Sequence, residues 1–301
     1  MKRKTGVLIL SVLMLFLIFA GCNQNTDLKT DIYRFEDYAS DEVFDIEKVD
    51  LSKDLAEKCS TYKFTYLSDS YKIKAYISVP VSAIKSQKPT KCVMYNRGGN
   101  RRIGLLDDNT TAKICIACDR IVVASQYRGA VGCEGFDQFG GDDLNDVIKL
   151  INLCEDEFDF IDMDDFCVAG VSRGGMMTYM AARQDGRIKR IISVSGVSDL
   201  FQAYEDRDDM KEWLVESIGY TPQENPTEYE KRSAICWYDE IKIPVLIIHS
   251  TQDEMVSYKQ AEELYKKLEN STECQMITHE DNVHGLHSED FKTINEWLNK
   301  L

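Results

Sequence analysis

The segment Gly170-Val171-Ser172-Arg173-Gly174-Gly175 carries the strongest indication of how this chain folds. An apolar run at 166–169 precedes it, and a helix-forming segment at 176–183 follows it. A strand, a G-x-S-x-G turn and a helix in this order form a nucleophile elbow, in which glycines permit a turn sharp enough to expose the serine hydroxyl at the sheet edge. The pattern therefore predicts Ser172 as a catalytic nucleophile.

Short apolar runs and helical segments alternate on both sides of this turn. Strands are predicted at 92–95, 121–124, 166–169, 190–194, 243–248 and 275–278, and helices at 110–118, 142–155, 257–268 and 288–298. Two period-2 runs flank Ser68-Asp69-Ser70 and predict an antiparallel hairpin or edge pair, which precedes these strands in the chain. Nearly continuous apolar strands that alternate with helices are typical of a mostly parallel sheet covered on both faces. The sequence therefore predicts an α/β protein.

The chain divides into a leader, a polar segment and one large domain. Residues 1–21 predict a signal peptide, residues 22–55 a tether and N-terminal cover, and residues 56–301 a catalytic domain. Residues 199–240 interrupt the strand–helix alternation and are acidic and rich in aromatic side chains. We expect them to form a small helical cap over the site, with a surface insertion of no catalytic role as the alternative.

Two residues downstream complete a candidate catalytic triad. A nucleophilic serine needs a base that accepts its proton and an acid that orients the base, and in α/β-hydrolases the order is Ser, acid, His. Asp253 lies just past the strand at 243–248, and His284 lies past the strand at 275–278. Ligands bind at the carboxyl ends of parallel strands, so both residues are expected in the layer of Ser172. The sequence predicts the α/β-hydrolase fold and this triad.

Neighbouring residues leave alternatives open for the acid and the base. Glu254 is adjacent to Asp253 and could replace it, while His287 and His279 compete with His284. His249 precedes any plausible acid in the chain and therefore fits the required order poorly.

A tetrahedral intermediate also needs two N–H donors for its oxyanion. The residue after the nucleophile, Arg173, supplies the first backbone N–H. The second is expected from the glycine turn at 96–100, where we take Gly98 as the donor, although the sequence does not fix which amide of that turn faces the site.

The N-terminus predicts export. Lys2-Arg3-Lys4 precedes an apolar stretch, Val7 to Ala20, that is shorter than the roughly 20 residues a membrane-spanning helix needs. The following Gly21-Cys22 resembles the end of a bacterial lipoprotein signal, in which Cys22 is lipidated and anchors the protein to the outer face of the cytoplasmic membrane. An ordinary cleaved signal peptide and an uncleaved anchor are the alternatives.

Charge and cysteine pattern restrict the partners. The net charge is −15, which argues against binding nucleic acid and against broad electrostatic contact with anionic lipid, so that membrane contact would come through a lipid on Cys22. Cys115 and Cys118 have no second cysteine pair and no histidine close in sequence. The sequence therefore indicates no metal and no organic cofactor.

Several segments resemble one family of serine hydrolases, the prolyl oligopeptidase family. The resemblance rests on Ser125-Gln126-Tyr127-Arg128-Gly129 with glycines at 132, 135, 140 and 141, on Asp142 and Asp146, on the elbow at 170–175, and on segments 225–234 and 241–249. It covers roughly residues 60–300. It implies a serine hydrolase with Ser172, Asp253 and His284 as its triad.

Two departures bear on the substrate. Oligopeptidases of this family carry a β-propeller before the catalytic domain, whereas about 38 residues separate Cys22 from the first predicted strand, too few for a propeller. Arg97 precedes the glycine turn where some members place an oxyanion tyrosine, and Tyr95 lies two positions away. We therefore expect a serine peptidase acting on peptides, with an esterase acting on small esters as a close alternative and a non-catalytic binding lipoprotein as a second.

Overall fold

A nine-stranded sheet forms the centre of the computed structural model, which describes residues 34–86 and 88–300. The predicted signal peptide at 1–21 and Cys22 lie outside these residues. The strands are β1 (Val43–Lys48), β2 (Cys59–Ser68), β3 (Tyr71–Pro80), β4 (Thr90–Asn96), β5 (Ile121–Ser125), β6 (Ile161–Val171), β7 (Arg190–Val194), β8 (Val245–Ser250) and β9 (Cys274–His279). Their order across the sheet is β1-β2-β3-β5-β4-β6-β7-β8-β9.

Ten α-helices connect these strands within the described residues. They are α1 (Lys53–Ala56), α2 (Val81–Ser86), α3 (Thr110–Cys118), α4 (Asp143–Asp156), α5 (Arg173–Gln184), α6 (Leu200–Asp206), α7 (Asp208–Ile218), α8 (Pro226–Glu230), α9 (Tyr258–Leu268) and α10 (Asp290–Leu298). None of the helices in 34–86 and 88–300 is long and apolar enough to cross a bilayer.

The parallel part of the sheet runs from β5 to β9. Its five neighbouring pairs are all parallel, whereas β1, β2 and β3 pair antiparallel with one another and β3 pairs antiparallel with β5. The predicted hairpin corresponds to β2 and β3, which pair from Cys59–Pro80 to Ser68–Tyr71. The expectation of a mostly parallel sheet is confirmed.

Helices cover both faces of the sheet because successive strand residues point to opposite sides. Cys92 and Met94 of β4 face the core shared with α4, α5 and α9, while Val93 faces the core shared with α3 and α10. The inner parallel strands β5, β7 and β8 are therefore buried along their whole length, which explains why their sequences are apolar without alternation, whereas β9 at the sheet edge is only partly buried.

The segment between β7 and β8 contains three α-helices, α6, α7 and α8, and two short 3-10 helices at Ala234–Cys236 and Tyr238–Glu240. Asp199 caps α6, since its side chain accepts hydrogen bonds from the N–H groups of Phe201 and Gln202. This segment leaves the sheet at the carboxyl end of β7, one strand away from the end of β6 where Ser172 lies.

Candidate active site

Ser172 occupies a strained turn between β6 and α5. Its φ is 58° and its ψ is −123°, a backbone conformation that a non-glycine residue adopts only where the surrounding structure enforces it. A Cβ on Gly174 would lie 1.9 Å from the carbonyl oxygen of Asn96 in β4. The glycine therefore allows α5 to begin directly against the neighbouring strand, and this close approach exposes Ser172 at the sheet edge.

Asp253 and His284 form a hydrogen-bonded pair at the same edge. His284 Nδ1 donates to Asp253 Oδ2 at 2.8 Å, which leaves His284 Nε2 as the proton acceptor. Among the described residues no hydrogen bond joins Ser172 to His284, and in serine hydrolases this contact often shortens only when substrate binds. The structure thus brings the predicted acid and base into contact past the ends of β8 and β9.

A second histidine supports the carboxylate. His249 is fully buried at the end of β8, and its Nε2 lies 2.9 Å from the carbonyl oxygen of Val256 and 3.4 Å from Asp253 Oδ2. Burial alone would raise the pKa of Asp253, but its contacts with His249 and His284 outweigh burial and hold that pKa well below its usual range. Asp253 is therefore ionised at neutral pH and can orient the ring of His284.

The alternatives weighed from the sequence lie elsewhere. Glu254 is exposed and makes no contact with His284. His279 Nε2 lies 2.8 Å from Asp290 Oδ1, and His287 Nε2 lies 2.8 Å from Asp281 Oδ2. Each of these histidines is thus engaged with a carboxylate other than Asp253.

Two backbone N–H groups are available beside Ser172. Gly98 packs so closely that a Cβ there would lie 3.2 Å from the Cβ of Ser172. Among the described residues, neither the N–H of Gly98 nor that of Arg173 donates to another backbone carbonyl. The N–H of Arg173 is free because the first turn of a helix has no intrahelical acceptor. The glycine turn thus lies directly against Ser172, and the oxyanion role of the two N–H groups stays a prediction.

The buried side chain of Arg97 supports the glycine turn through hydrogen bonds to backbone carbonyls. It is 1% exposed, and its Nε donates to the carbonyl of Gln126 at 2.8 Å while Nη1 donates to the carbonyl of Gly98 at 3.0 Å. Its guanidinium also stacks 4.9 Å from the ring of Tyr127. Burial and the neighbouring Arg173 both lower the pKa of Arg97. Arg97 is therefore a support of the turn that carries Gly98.

Arg173 is fixed by two buried carboxylates that the sequence did not single out. Its Nη1 donates to Asp137 Oδ2 at 2.8 Å and to the carbonyl of Gly99 at 3.1 Å, and its Nη2 donates to Asp143. Burial by itself would raise the pKa of Asp137, but Arg173 lowers it below its usual range. Asp143 follows a Gly-Gly pair at a helix start, which was the one available signal, while nothing in the local pattern marked Asp137.

A mostly apolar cavity of about 360 Å³ opens beside Ser172. Its walls come from the turn at 98–104, from α6 and α7, and from the loop after β8; the lining includes Ile103, Phe139, Val197, Leu200, Ala203, Met210, Leu214 and Met255. Arg207 also lines the cavity. It donates to the carbonyl of Met255 at 3.0 Å and pairs with Asp209. The segment between β7 and β8 thus forms one wall of the space in front of Ser172.

Comparison with known proteins yields one matching family. The model of the prolyl oligopeptidase family matches residues 110–301. The uncharacterized peptidase YtmA of Bacillus subtilis is 30% identical over 208 residues, which are 69% of this chain and 79% of that protein. The probable dipeptidyl-peptidase 5 of Aspergillus flavus is 25% identical over 264 residues, which are 79% of this chain but 35% of that longer protein.

Solved structures agree on the fold. The acylaminoacyl peptidase of Pyrococcus horikoshii superposes with a TM-score of 0.68 at 21% identity, over 81% of this chain and 42% of that chain. Acetyl xylan esterase 1 from Thermoanaerobacterium superposes with a TM-score of 0.62 at 16% identity, over 88% of this chain and 92% of that chain. At these identities the likeness establishes the α/β-hydrolase fold.

Proposed function

Because the chain belongs to the prolyl oligopeptidase family and is a serine hydrolase, we propose that it is a peptidase that cleaves amide bonds with Ser172, His284 and Asp253. The observation that carries this proposal is the 2.8 Å hydrogen bond between His284 and Asp253, at the sheet edge where the elbow exposes Ser172. Each of the three residues has a chemical role that its surroundings support.

In the first half of the reaction Ser172 Oγ attacks the carbonyl carbon of the substrate. His284 Nε2 takes the hydroxyl proton, and Asp253 stabilises the imidazolium that forms. The N–H groups of Arg173 and Gly98 donate to the oxyanion of the tetrahedral intermediate. His284 then returns the proton to the leaving amine, which departs and leaves an ester between Ser172 and the acyl group.

In the second half water enters from the side of the departed amine. His284 takes a proton from the water, the hydroxide attacks the acyl carbonyl, and the same two N–H groups stabilise the second oxyanion. Collapse of this intermediate returns the proton to Ser172 Oγ and releases the carboxylic acid.

The cavity beside Ser172 suits an acyl group with an apolar side chain. About 360 Å³ of space accommodates a side chain of medium size, and Leu200, Ala203 and Leu214 offer it an apolar surface. Ile103 and Met255, which are 67% and 50% exposed, extend this apolar surface to the mouth of the cavity.

Covalent labelling by a fluorophosphonate tests the nucleophile. We expect one label per chain on wild type and none on Ser172→Ala, with circular dichroism showing that the variant is folded. Ser257→Ala is a matched control, since Ser257 precedes α9 without making a side-chain cap and should label as wild type does. A folded wild type that never reacts would point to a non-catalytic binding protein instead.

An esterase is the alternative function: the cavity bounded by α6 and α7 also fits a short acyl chain, and an acetyl xylan esterase shares the fold. The two functions separate when kcat/KM is measured for an anilide and an ester that share one apolar acyl group. Appreciable anilide hydrolysis, abolished in Ser172→Ala, supports the peptidase. Hydrolysis of the ester alone would replace the peptidase assignment with the esterase.

The protein acts, in this proposal, outside the cytoplasmic membrane, anchored by a lipid on Cys22. The support is the sequence of the leader, namely a basic start, a short apolar stretch and Gly21-Cys22. Metabolic labelling with a fatty-acid analogue in a bacterial host tests whether Cys22 carries a lipid anchor. Wild type should carry the label and partition into detergent, and Cys22→Ala should do neither, whereas a labelled Cys22→Ala would contradict the anchor.

A further inference from the structure

Two histidines and an aspartate lie together at the base of the loop that carries His284. His279 is the last residue of β9, His287 lies at the end of the loop, and Asp290 is the first residue of α10. Each side chain offers one possible ligand atom, and these three atoms lie within 4.8 Å of one another. The cluster therefore joins the two ends of segment 280–287.

The hydrogen bonds of His287 leave one of its nitrogens facing a carboxylate. Its Nε2 lies 2.8 Å from Asp281 Oδ2, and because a carboxylate only accepts, Nε2 carries the hydrogen. In the neutral ring Nδ1 then has a lone pair. Nδ1 is buried, makes no hydrogen bond to any described residue, and lies 3.7 Å from Asp290 Oδ2. Two electron-rich atoms facing each other across this gap are stabilised by a cation between them.

The other side of the Asp290 carboxylate faces His279. Its Oδ1 lies 2.8 Å from His279 Nε2, which therefore carries a hydrogen in the metal-free chain, and the centroids of the two imidazole rings are 4.0 Å apart. When that hydrogen moves to His279 Nδ1, Nε2 gains a lone pair and a cation can take the place of the hydrogen beside Asp290. Asp290 is 2% exposed, so its charge is not dispersed by solvent. Two imidazole nitrogens and one carboxylate oxygen form a donor set typical of zinc, which binds such atoms at about 2.0–2.2 Å in tetrahedral geometry.

The contact between Asp281 and His287 completes this pattern. A histidine that binds a metal usually donates its second ring N–H to a carboxylate, which fixes the tautomer and makes the ligating nitrogen more basic. Asp281 has this relation to His287. Glu280 and Glu289, the chain neighbours of His279 and Asp290, are exposed and add negative charge, which raises the local concentration of cations.

We propose that His279, His287 and Asp290 bind one divalent transition-metal ion, with Zn²⁺ as the best-suited, and that Asp281 orients His287 towards it. A water molecule or hydroxide would supply the fourth ligand. The ion has no part in the chemistry at Ser172. It ties the end of β9 to the start of α10 and so holds both ends of the loop from which His284 reaches Asp253.

Binding is tested on the full chain after treatment with a chelator. Zn²⁺ binding is measured by calorimetry and, separately, by competition with a chromophoric chelator followed by absorbance. We expect one ion per chain. His279→Gln, His287→Gln and Asp290→Asn should each weaken binding by more than about 100-fold, and Asp281→Asn by about 10- to 100-fold, as is usual when the partner of a ligating histidine is removed. Each variant is checked by circular dichroism and by fluorophosphonate labelling.

A second measurement does not depend on activity. A site present only in the folded chain lowers the unfolded population by about 100-fold when free Zn²⁺ is 100 times its dissociation constant. The melting temperature of wild type should therefore rise with Zn²⁺, and that of the double variant His279→Gln/His287→Gln should not.

Two controls separate this site from other ligands of the chain. Glu262→Gln/Glu263→Gln removes two acids of α9 outside the cluster and should bind Zn²⁺ as wild type does. His284→Gln should also retain the ion. The proposal is overturned if wild type binds no stoichiometric Zn²⁺, if the double variant binds it equally well, or if His284→Gln abolishes binding. Co²⁺ absorption characteristic of a thiolate ligand would likewise overturn it, because it would place the ion on a cysteine.

Discussion

Arg173 carries a backbone N–H that we propose as an oxyanion donor and a side chain that pairs with two buried aspartates. The guanidinium is 1% exposed and contacts Asp137 and Asp143 on one side and the rings of Tyr127 and Phe139 at 5.2 and 4.9 Å. A buried charge of this kind tolerates the loss of a partner poorly, because the remaining charge is left without compensation. The stability of this network therefore determines where the N–H of Arg173 points.

Replacing Arg173 should destabilise the protein strongly. Arg173→Met leaves the carboxylates of Asp137 and Asp143 buried without their partner, and we expect a loss of about 3–5 kcal/mol in the free energy of unfolding, measured with urea. Arg183→Met is the matched control on the same helix, since Arg183 pairs with Glu240 at the surface and should cost less than about 1 kcal/mol. Equal losses in the two variants would refute this account of the network.

Asp253 should matter through the tautomer of His284. Asp253→Asn preserves size but presents an amide to Nδ1, which favours the wrong tautomer, and we expect kcat to fall by about 10⁴-fold. Glu254→Gln changes the adjacent exposed carboxylate and should alter kcat by less than twofold. Steady-state kinetics on one ester substrate compares the two variants, and a reversed outcome would make Glu254 the acid.

At the scale of single residues, the sequence identified side chains that are recognised by their order along the chain. It did not identify side chains that meet their partners only in the folded protein. Ser172, Asp253 and His284 follow strand ends in the order that the chemistry requires, and as catalytic residues they stay predictions. His249 fits the required order poorly because it precedes the acid in the chain. In the structure its Nε2 nevertheless lies 3.4 Å from the carboxylate of Asp253, which is four residues later. Asp137 meets Arg173 across 36 positions, a distance that no local pattern encodes.

Among the elements, α6 and α7 bound the cavity in which we propose that the acyl group binds. Ala203 of α6 lines the cavity, so that Ala203→Phe places a ring in the space offered to the substrate side chain. We expect kcat/KM to fall by at least about 10-fold for acyl groups with large apolar side chains and by less than about threefold for acetyl or alanyl groups. Parallel assays with the two substrate classes measure this selectivity. A uniform loss for both classes would mean that the substrate side chain binds elsewhere.

The element that sequence reasoning missed is β1. The sequence analysis assigns residues 22–55 to a tether and N-terminal cover and predicts no strand there, whereas Val43–Lys48 pairs with β2 at the edge of the sheet. The pairing register shifts between Phe44 and Glu47, and Asp45 has a φ of 51°. Such a bulge interrupts the two-residue alternation from which a strand is recognised. Strand β6 is also longer than its apolar run: Ile161 and Asp162 pair with Thr90 and Lys91, and the register then shifts before Phe166 pairs with Cys92. The three aspartates of 162–165 conceal this part of the strand from a pattern of apolar residues.

For the molecule as a whole, Asp165 joins elements that are far apart in sequence. Lys91 Nζ lies 2.6 Å from its Oδ2, and Arg120 and Arg190 lie 3.5 and 3.8 Å from its two oxygens. Both arginines also donate to the carbonyl of Leu298 at the C-terminal end of α10. Positive charge is favourable at a helix C-terminus, so Asp165 organises a contact that fastens the last helix to the sheet.

The cluster around Asp165 should make stability depend on acidity. Burial alone would raise the pKa of Asp165, but Lys91, Arg120 and Arg190 hold it below its usual value. A depressed pKa in the folded state gives stability that is complete above the unfolded pKa of about 4 and is lost as the pH falls through the folded value. Asp165→Asn should therefore cost about 2 kcal/mol at pH 7 and progressively less below pH about 4.

Urea unfolding at several pH values measures this difference. Asp164→Asn is the control, because Asp164 is exposed in the same strand and its replacement should stay within about 0.5 kcal/mol at every pH. A difference between wild type and Asp165→Asn that grows below pH 4 would contradict the predicted sign.

The alternation of strands and helices predicts an α/β protein, and the elbow with the order Ser, Asp, His predicts the α/β-hydrolase fold, but neither predicts the order of strands in the sheet. β5 lies between β3 and β4, so the neighbours of β4 in the sheet are β5 and β6. This order depends on contacts such as Asn96 with Gly170, which join residues 74 positions apart. Hydrophobic periodicity describes each strand alone and contains no information about its neighbour.

The strand order also has a consequence for the moment at which hydrolysis becomes possible during synthesis. Ser172 follows the sixth strand, whereas Asp253 and His284 follow the eighth and ninth, which are the last strands to leave the ribosome. In the proposed mechanism, a chain that has emerged only as far as α5 contains the nucleophile but neither the acid nor the base. We therefore expect the nascent polypeptide to be unreactive towards its neighbours until β9 docks on β8 and His284 reaches Asp253.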